Sequence, residues 1–240
     1  MNRRDFIGLA GKSMAALMVP RMAISQSPWK DAVLYRHDTR WPVVSLTIDD
    51  GFSLSHLETA TDLCIKYGFD ATFFLNGHGL LALGENLEFL DRWHKAGFTF
   101  SYHSRFHLWE DRNWSRREWD DDFWKWWNLG QKSLGTRVFF SRWKPYARAP
   151  FGAFYDPFLE MCEDNMLIPY GWSSDPQDWA RNIMPKRGDI VLLHARPQDW
   201  HQFKWLSENW HEPVVSLPKL RQLERLTEAG FGYIPRSFYG

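Results

Sequence analysis

The sequence predicts an α/β fold, a distorted (β/α) barrel of about seven parallel strands that forms a single domain. Three observations support this expectation. Short runs of apolar and β-branched residues alternate with helical patterns along the chain. Polar residues collect where those runs end, as they do in α/β barrels. Residues 40–236 contain no linker rich in Gly, Pro or Ser, and 240 residues are enough for one such barrel.

The expected strands are short apolar runs bounded by helix or turn signals. Such runs are typical of strands that are buried on both faces. The seven runs are Val43–Ile48, Ala71–Leu75, Phe98–Tyr102, Trp143–Arg148, Pro169–Ser173, Asp189–His194 and Phe231–Ile234.

Helices are expected between these strands, where apolar residues recur at helical spacing behind capping residues. Asp156 followed by Pro157 is typical of an N-cap with proline in the first turn. The segment after His194, which carries several Trp residues, is expected to be a long loop. The expected helices begin at a capping box of Ser55 with Glu58, at Glu85, at a capping box of Ser115 with Glu118, at Asp156 and at Ser216.

Composition and charge exclude several classes of protein. The chain has 29 Lys and Arg and 29 Asp and Glu, so it has no basic field for nucleic acid. Hydrophobic residues at 44% and charged residues at 24% are typical of a globular protein rather than a disordered one. Two cysteines are too few for a disulfide scaffold. Cys64 and Cys162 both fall in expected helices, so we expect buried free thiols.

Residues 1–25 have the features of a twin-arginine-type signal peptide rather than of a folded segment. Arg3 and Arg4 precede an apolar stretch shorter than the ~20 residues of a membrane span, and the small residues Ala23 and Ser25 precede the expected cleavage site. Removal of the leader leaves 29 − 4 = 25 basic and 29 − 1 = 28 acidic residues, a net charge of −3. We expect a periplasmic or secreted protein without another membrane span, anchored only if the leader is retained, and residues 26–240 as its catalytic domain.

Ionisable side chains follow five of the expected strands, at the edge where barrel enzymes carry out their chemistry. Asp49 and Asp50 are adjacent, and such a pair of carboxylates is best tolerated near a cation. His103 and His107 lie at i and i+4, a spacing that suits a zinc-class ion if the loop turns helical. Two imidazoles and one carboxylate leave an open position for water, as in catalytic zinc sites. Taken singly, the acidic pair is also typical of a turn, and the two histidines are also typical of surface residues.

The remaining ionisable groups suggest acid–base chemistry around that ion. A bound metal lowers the pKa of its water and polarises a carbonyl. The second carboxylate of the pair then serves as general base, and His194 as general acid for a leaving amine. Arg148, before the tight turn of Pro150 and Gly152, is expected to hold a carboxylate in position.

Together these segments resemble the polysaccharide deacetylase family, also called the NodB homology domain or carbohydrate esterase family four. The resemblance runs from about Val43 to Ile234. Three positions depart from the family pattern, with Ile48 for Phe, Phe151 for Tyr and Ala195 for Asp. The five matching motifs follow in the family's order as Thr47–Gly51, His103–His107, Arg148–Gly152, Asp175–Trp179 and Ile190–His194.

The resemblance implies a role for each matching residue. It implies one divalent metal, Zn²⁺ or else Co²⁺, Ni²⁺ or Mn²⁺. It implies an oxyanion donor in the backbone N–H of Phe151, and a pocket for the acetyl methyl walled by Trp179 and Leu192. The implied catalytic and metal-binding residues are Asp49 as base, His194 as acid, Arg148 and Asp178 as their supporting pair, and Asp50, His103 and His107 as metal ligands.

Tryptophan is unusually frequent, with 15 residues. Indole faces stack on sugar rings, so some of these residues are expected to bind a glycan. Trp109 and Trp114 are the candidates, whereas Trp119, Trp126 and Trp127 are expected in the core of a helix. The six that lie between the second and third motifs are Trp109, Trp114, Trp119, Trp124, Trp126 and Trp127.

The expected activity is removal of N-acetyl groups from a chitin-like glycan, poly-N-acetylglucosamine or peptidoglycan, with release of acetate. One alternative is a relative that acts on another C–N amide or on an O-acetyl ester, such as a cyclic amide or acetylated xylan. A second alternative is an inactive carbohydrate-binding protein. The complete set of ionisable motif residues argues against lost activity, because binding alone does not require it. We expect a monomer whose partner is the acetylated glycan.

Overall fold

A parallel sheet of seven strands forms the centre of the computed structural model, which describes residues 31–231. The strands are β1 (Val44–Asp50), β2 (Ala71–Leu75), β3 (Thr99–Tyr102), β4 (Trp143–Ala147), β5 (Ile168–Pro169), β6 (Ile190–His194) and β7 (Val214–Val215). Their order is β5-β4-β3-β2-β1-β6, and β7 pairs with the start of β1. Every strand pair is parallel, so the carboxyl ends of all strands lie at one edge.

The sheet curls towards closure. The segment after β5 returns to β6, where Ser174 bridges Val191 and its carbonyl accepts a 2.9 Å hydrogen bond from the Leu192 N–H. This closing contact confirms the expected single α/β domain with a distorted barrel architecture.

Nine α-helices connect or flank the strands in the described part of the chain. The longer ones, such as α1, α4 and α9, bury apolar residues in the core, as amphipathic helices of α/β folds do. They are α1 (Leu54–Tyr67), α2 (Gly77–Glu85), α3 (Leu87–Lys95), α4 (Arg116–Leu134), α5 (Thr136–Arg142), α6 (Asp156–Asp164), α7 (Pro176–Trp179), α8 (Trp200–Asn209) and α9 (Leu217–Glu228).

The N-terminal caps of the helices agree only in part with those expected from the sequence. The capping box at Ser115 and Glu118 is confirmed, with a 2.7 Å hydrogen bond from the Ser115 N–H to the Glu118 carboxylate. The expected box at Ser55 is wrong, because Ser53 is the N-cap of α1 and accepts from the His56 N–H. An Asp156 cap is also wrong, because α6 begins at Asp156 itself.

The expected loop after His194 is a helix, α8. Its residues Phe203 and Leu206 lie one turn apart and are buried, so core packing stabilises a segment whose Trp-rich sequence has no clear cap. Trp205, on the same helix, stacks on Trp179 at 4.4 Å between ring centroids. Helices α2 and α5 were not expected either.

Two other expectations concern strands and the leader. β5 covers Ile168–Pro169 rather than Pro169–Ser173. The expected strand Phe231–Ile234 lies outside the described residues apart from Phe231, and so does the leader, residues 1–25. Among residues 31–231 the seventh strand is β7 instead.

The core is aromatic. Trp93, Trp119 and Trp126 are among its largest fully buried side chains, and the Trp126 indole donates a 2.8 Å hydrogen bond to the Leu75 carbonyl. Cys64 and Cys162 are buried and unpaired, as expected. No helix within residues 31–231 combines the length and apolar character that crossing a bilayer requires.

Candidate active site

β1 ends in two buried carboxylates, Asp49 and Asp50. Successive side chains of a regular strand point to opposite faces of the sheet. Asp50, however, has a φ of 81°, in the left-handed region that non-glycine residues rarely adopt. This conformation brings both carboxylates to the same imidazole, because the Nε2 of His103 lies 3.7 Å from Asp49 Oδ2 and 3.6 Å from Asp50 Oδ1.

His103 and His107 lie on the loop after β3, which is irregular rather than helical. Ser104 and His107 have φ values of 55° and 56°. Their imidazole rings nevertheless meet, with 4.8 Å between the centroids of His103 and His107. Left-handed residues, rather than the i,i+4 geometry of a helix, therefore bring the two rings together, and such backbone strain is common at functional sites.

Asp111 holds this loop from one side. Its Oδ2 accepts hydrogen bonds from the Ser104 hydroxyl at 3.1 Å and from the Leu108 N–H at 2.9 Å. Ser104 Oγ in turn accepts from the His107 N–H at 2.9 Å. Burial raises the pKa of Asp111, and its two hydrogen bonds oppose that effect.

Asp122, on α4, holds the loop from the other side. Its Oδ2 accepts from the Tyr102 hydroxyl at 2.7 Å and from the Arg105 N–H at 2.8 Å. Burial raises its pKa to about 6. Neither Asp111 nor Asp122 was singled out from the sequence. The available signal was a carboxylate at position 122, within the apolar face of α4 that carries Trp119, Phe123 and Trp126.

Asp50, His103 and His107 form a cluster of three metal-ligand side chains whose ligand atoms lie within 4.8 Å of one another. Asp50 Oδ1 lies 3.3 Å from the His107 Nε2. This oxygen is buried, and no residue within 31–231 gives it a well-formed hydrogen bond, which is the state expected of a metal ligand. His103 Nδ1 donates to the Arg148 carbonyl at 2.8 Å, so its Nε2 faces the cluster with a free lone pair.

The electrostatics of the cluster fit a cation. Burial lowers the pKa of His107 to about 4, aided by the charge of His103, so its imidazole is neutral at pH 7 as metal ligation requires. Burial also disfavours the charged form of His103, but the Asp49 and Asp50 carboxylates outweigh it and raise the pKa of His103. Burial raises the pKa of Asp50, yet the imidazoles of His103, His107 and His194 outweigh it and leave that pKa lowered.

Arg148, at the end of β4, crosses the interior of the curled sheet and is completely buried. Its Nη1 donates to Asp49 Oδ1 at 2.7 Å and to the Thr47 hydroxyl at 2.8 Å. Its Nε and Nη2 donate to the carbonyls of Tyr170 at 3.0 Å and Gly171 at 2.7 Å. These four acceptors compensate for burying the guanidinium, and the hydrogen bond from Nη1 fixes one oxygen of Asp49.

His194 ends β6, beside Asp49 in the register of β1. Its Nδ1 lies 2.8 Å from the Oδ2 of Asp199, which also accepts from the His194 N–H at 2.9 Å. Asp199 was not singled out from the sequence, and the spacing of five residues after His194 carries no general signal. Asp178 is half-buried on α7, and within residues 31–231 it is not among the hydrogen-bond or ion-pair partners of His194 or Arg148.

A cavity of about 480 Å³ opens beside His194 and is lined by Leu192, Phe151 and Trp172, among others. Phe151 has a φ of 59°, and its N–H has no backbone acceptor within the described residues. Its exposed ring contacts His107 and Trp109, with centroids at 4.5 and 4.9 Å. This places a free backbone donor and two aromatic rings near the metal-ligand cluster.

The three Trp residues expected to bind substrate have different surroundings. Trp109 is 53% exposed at the rim, with the Arg112 guanidinium 3.6 Å from its ring centroid. Trp114 is partly buried and packs edge-on against Trp119. Trp179 is buried, donates to the Ser174 hydroxyl and is not in the lining of the cavity beside His194.

The fold and the site define an α/β protein with the donor set of a metallohydrolase at the carboxyl edge of its sheet. The sequence model of the polysaccharide deacetylase family matches residues 36–165, more than half of the 240 residues. The chain therefore belongs to the polysaccharide deacetylase family, and we class it as a hydrolase of carbon–nitrogen bonds.

Three relatives illustrate the similarity. The peptidoglycan-N-acetylglucosamine deacetylase of Bacillus cereus is 26% identical over 207 residues, which cover 80% of this chain and 85% of the relative. A family 4 carbohydrate esterase from Bacillus anthracis has a TM-score of 0.64 at 21% identity, covering 83% of this chain and 94% of that one. A family 4 pseudoenzyme from the same organism has a TM-score of 0.61 at 22% identity, covering 78% and 67%. The two structures support the fold.

Proposed function

We propose that this protein is a metal-dependent deacetylase that removes N-acetyl groups from a glycan built on N-acetylglucosamine and releases acetate. One observation carries the proposal. The buried ligand cluster of Asp50, His103 and His107 lies next to the Asp49 carboxylate and the loop of Phe151, and the cavity beside His194 also reaches Phe151. The peptidoglycan deacetylase relative supports this substrate class.

The cluster fits one divalent ion, and Zn²⁺ suits two imidazoles and a carboxylate best, with Co²⁺, Ni²⁺ or Mn²⁺ as substitutes. When bound, such an ion polarises a carbonyl and lowers the pKa of water. Asp50, His103 and His107 would hold it, and the hydrogen bond from His103 to the Arg148 carbonyl would orient that imidazole.

Asp49 and His194 would move the protons. Asp49 Oδ1 is held by Arg148, which leaves Oδ2 to take a proton from water as its oxygen adds to the acetyl carbon. The C–N bond then breaks, and a protonated His194 gives its proton to the leaving amine. The Phe151 N–H is suited to donate to the oxyanion, an interaction typically worth about 3–4 kcal/mol for one donor.

The aromatic rim and the cavity favour a sugar as the group next to the acetyl. Trp109 and Phe151 expose their rings beside the cluster, and aromatic faces bind the apolar faces of sugar rings. Leu192 lines the cavity beside His194, where it would contact the acetyl methyl. Trp114 and Trp179 were also expected to contact substrate, but Trp114 packs against Trp119 and the buried Trp179 stacks on Trp205.

Acetate release tests the proposal. Zinc-loaded protein is incubated with chitin oligomers, peptidoglycan fragments, acetylated xylan and a cyclic amide. We expect acetate from one or both N-acetylated glycans, and loss of nearly all of it in Asp49→Asn with metal content unchanged. Asp91→Asn, an exposed carboxylate paired with Lys95, is the matched control. The deacetylase proposal would be overturned by activity that survives Asp49→Asn, or by the absence of acetate release from every acetylated glycan.

We also propose export of the protein as a monomer, with residues 1–25 removed and residues 26–240 as the catalytic domain. The Arg3-Arg4 pair and the short apolar stretch support a twin-arginine route. Replacing both arginines by lysine should leave the full-length chain inside the cell. A mature N-terminus near residue 26 and the mass of one chain in solution are the expected observations. Unimpaired export of the double-lysine variant contradicts the route.

A further inference from the structure

His194 needs a partner at Nδ1 if its Nε2 is to face substrate. A neutral imidazole carries its proton on one nitrogen only, and the hydrogen bond at that nitrogen decides which one. In this chain Ala195 stands where the family has Asp, and the Asp178 carboxylate is not a hydrogen-bond or ion-pair partner of His194 within the described residues. Within residues 31–231, neither position 195 nor Asp178 therefore supplies the partner of Nδ1.

Asp199 occupies that position through the turn that follows β6. The chain bends at a 3₁₀ turn over Pro197–Asp199, and the Asp199 N–H donates to the Arg196 carbonyl at 3.1 Å. This turn carries the Asp199 side chain back to His194, where its Oδ2 accepts from both the backbone N–H and Nδ1. Two bonds to one residue fix the position of the carboxylate as well as that of the ring.

Arg196 holds the other carboxylate oxygen. Its Nε donates to Asp199 Oδ1 at 3.2 Å, so both carboxylate oxygens of Asp199 accept hydrogen bonds from residues three to five positions earlier in the chain. Asp199 is 6% exposed. Burial raises the pKa of Asp199, but the hydrogen bond from His194 and the charges of His194 and Arg196 outweigh it and leave that pKa lowered. A buried carboxylate that stays charged is suited to hold an Nδ1–H.

The segment expected to support His194 has a different set of contacts. Asp175 is the N-cap of α7, where its Oδ1 accepts from the Gln177 N–H at 2.7 Å and the Asp178 N–H at 3.2 Å. Its Oδ2 accepts from the Trp172 indole at 3.1 Å. Asp178 lies in the helix that Asp175 begins. This motif stabilises the wall of the cavity rather than the imidazole.

We propose that Asp199, held by Arg196, is the residue that positions His194. It keeps one proton on Nδ1, so that Nε2 faces the substrate and is the nitrogen that carries the second proton when His194 acts as an acid. The assignment of His194 as an acid rests on the proposed function, whereas the Nδ1 hydrogen bond does not. The other charged groups near the ring are Asp49 and Asp50 from β1, and Asp175 and Arg196 at the cavity.

The test compares Asp199→Asn, Asp199→Glu and Asp178→Asn in zinc-loaded protein. The ¹⁵N NMR shifts of His194, assigned with His194→Gln, report which ring nitrogen carries the proton and need no substrate. We expect the Nδ1–H form in the parent protein and in Asp178→Asn, and a loss of that form in Asp199→Asn, whose amide can donate to Nδ1 instead.

Kinetics on the chitin oligomers provide the second measurement. Asp199→Asn should lower kcat by about 100-fold, the lower end of the contribution of a positioned acid. KM should change by less than about threefold, because both carboxylate oxygens of Asp199 already accept hydrogen bonds from His194 and Arg196. Asp199→Glu should recover part of kcat, and the exposed control Asp91→Asn should retain it.

The outcomes separate the two proposals. An unchanged His194 tautomer in Asp199→Asn, or a change in Asp178→Asn, would overturn the role of Asp199 even if the parent protein deacetylates glycans. A tautomer shift in Asp199→Asn without acetate release by the parent protein would support the Asp199 contact and reject the deacetylase function.

Discussion

Arg148 Nη1 donates a 2.7 Å hydrogen bond to Asp49 Oδ1, joining the end of β4 to the end of β1 across the interior of the curled sheet. Both side chains are buried, and the guanidinium also lies 4.2 Å from the Phe74 ring centroid. One residue therefore holds the proposed base and ties together strands that are not neighbours in the sheet.

Replacing Arg148 with Met should lower the free energy of unfolding by about 3–5 kcal/mol, because Asp49 becomes a buried charge without a partner. Urea denaturation of the metal-free protein measures this. The double variant Arg148→Met, Asp49→Leu should recover part of the loss. Arg92→Met, which breaks an exposed ion pair with Asp62, should cost less than about 1 kcal/mol. A loss for Arg148→Met as small as for Arg92→Met contradicts the structural role of the pair.

Replacing His107 with Ala should abolish stoichiometric metal binding. The cluster has three protein ligands, and loss of one is expected to weaken Zn²⁺ binding by more than about 100-fold, since even outer partners of ligands contribute 10–100-fold. Equilibrium dialysis against zinc with elemental analysis measures the change. His78→Ala, an exposed histidine whose ring lies 6.1 Å from Phe52, should bind zinc like the parent protein. Equal zinc content in the two variants would exclude this cluster as the metal site.

Replacing Asp111 with Ala should weaken zinc binding by about 10–100-fold, the range for partners that orient metal ligands. The loop that presents His107 loses the acceptor for Ser104 and Leu108, so the two imidazoles are held less firmly. Competition with a chelator gives the affinity. Glu110→Ala, on the same turn but exposed, serves as control. A zinc affinity that drops equally in both variants would contradict a specific role for Asp111, because any change in this turn would then weaken binding.

Loss of the Asp122 proton should lower the free energy of unfolding as pH rises from 4 to 6. Its pKa is about 6 in the folded protein, because of burial, against an ordinary value of 3.8. The folded state therefore binds the proton more tightly, and the stability this provides at low pH is lost as pH rises through 6. The loss amounts to about 3 kcal/mol.

The comparison with Asp122→Asn isolates this contribution. The asparagine does not titrate, so its stability relative to the parent protein should increase by up to about 3 kcal/mol between pH 4 and 7. Thermal or urea unfolding of metal-free protein across that range gives the difference. Asp121→Asn, exposed on the same helix, should show no such trend. A relative stability of Asp122→Asn that is constant or declines with pH contradicts the assignment.

Local patterns in the sequence were sufficient for much of the fold. β1 and β2 are short apolar runs whose residues are buried on both faces, so composition alone identifies them. The box of Ser115 and Glu118 begins α4 because both partners lie within one turn of backbone. Helix α8 was missed because its stability comes from packing of Phe203, Leu206 and Trp205, which local spacing does not report.

The candidate site was likewise predicted in part from the sequence and decided in part by the tertiary structure. Strand ends and residue types were enough to predict from sequence that His103, His107 and one carboxylate of the Asp49–Asp50 pair belong together, since parallel strands deliver their carboxyl ends to one edge. The family resemblance implied that this carboxylate is Asp50. The tertiary structure decided how they meet. The left-handed φ of Asp50 and of His107 is a conformation that their residue types do not predict, and a hydrogen-bond partner such as Asp199 is chosen by the path of a turn. Such choices depend on distances between segments, and a linear pattern of residues does not contain those distances.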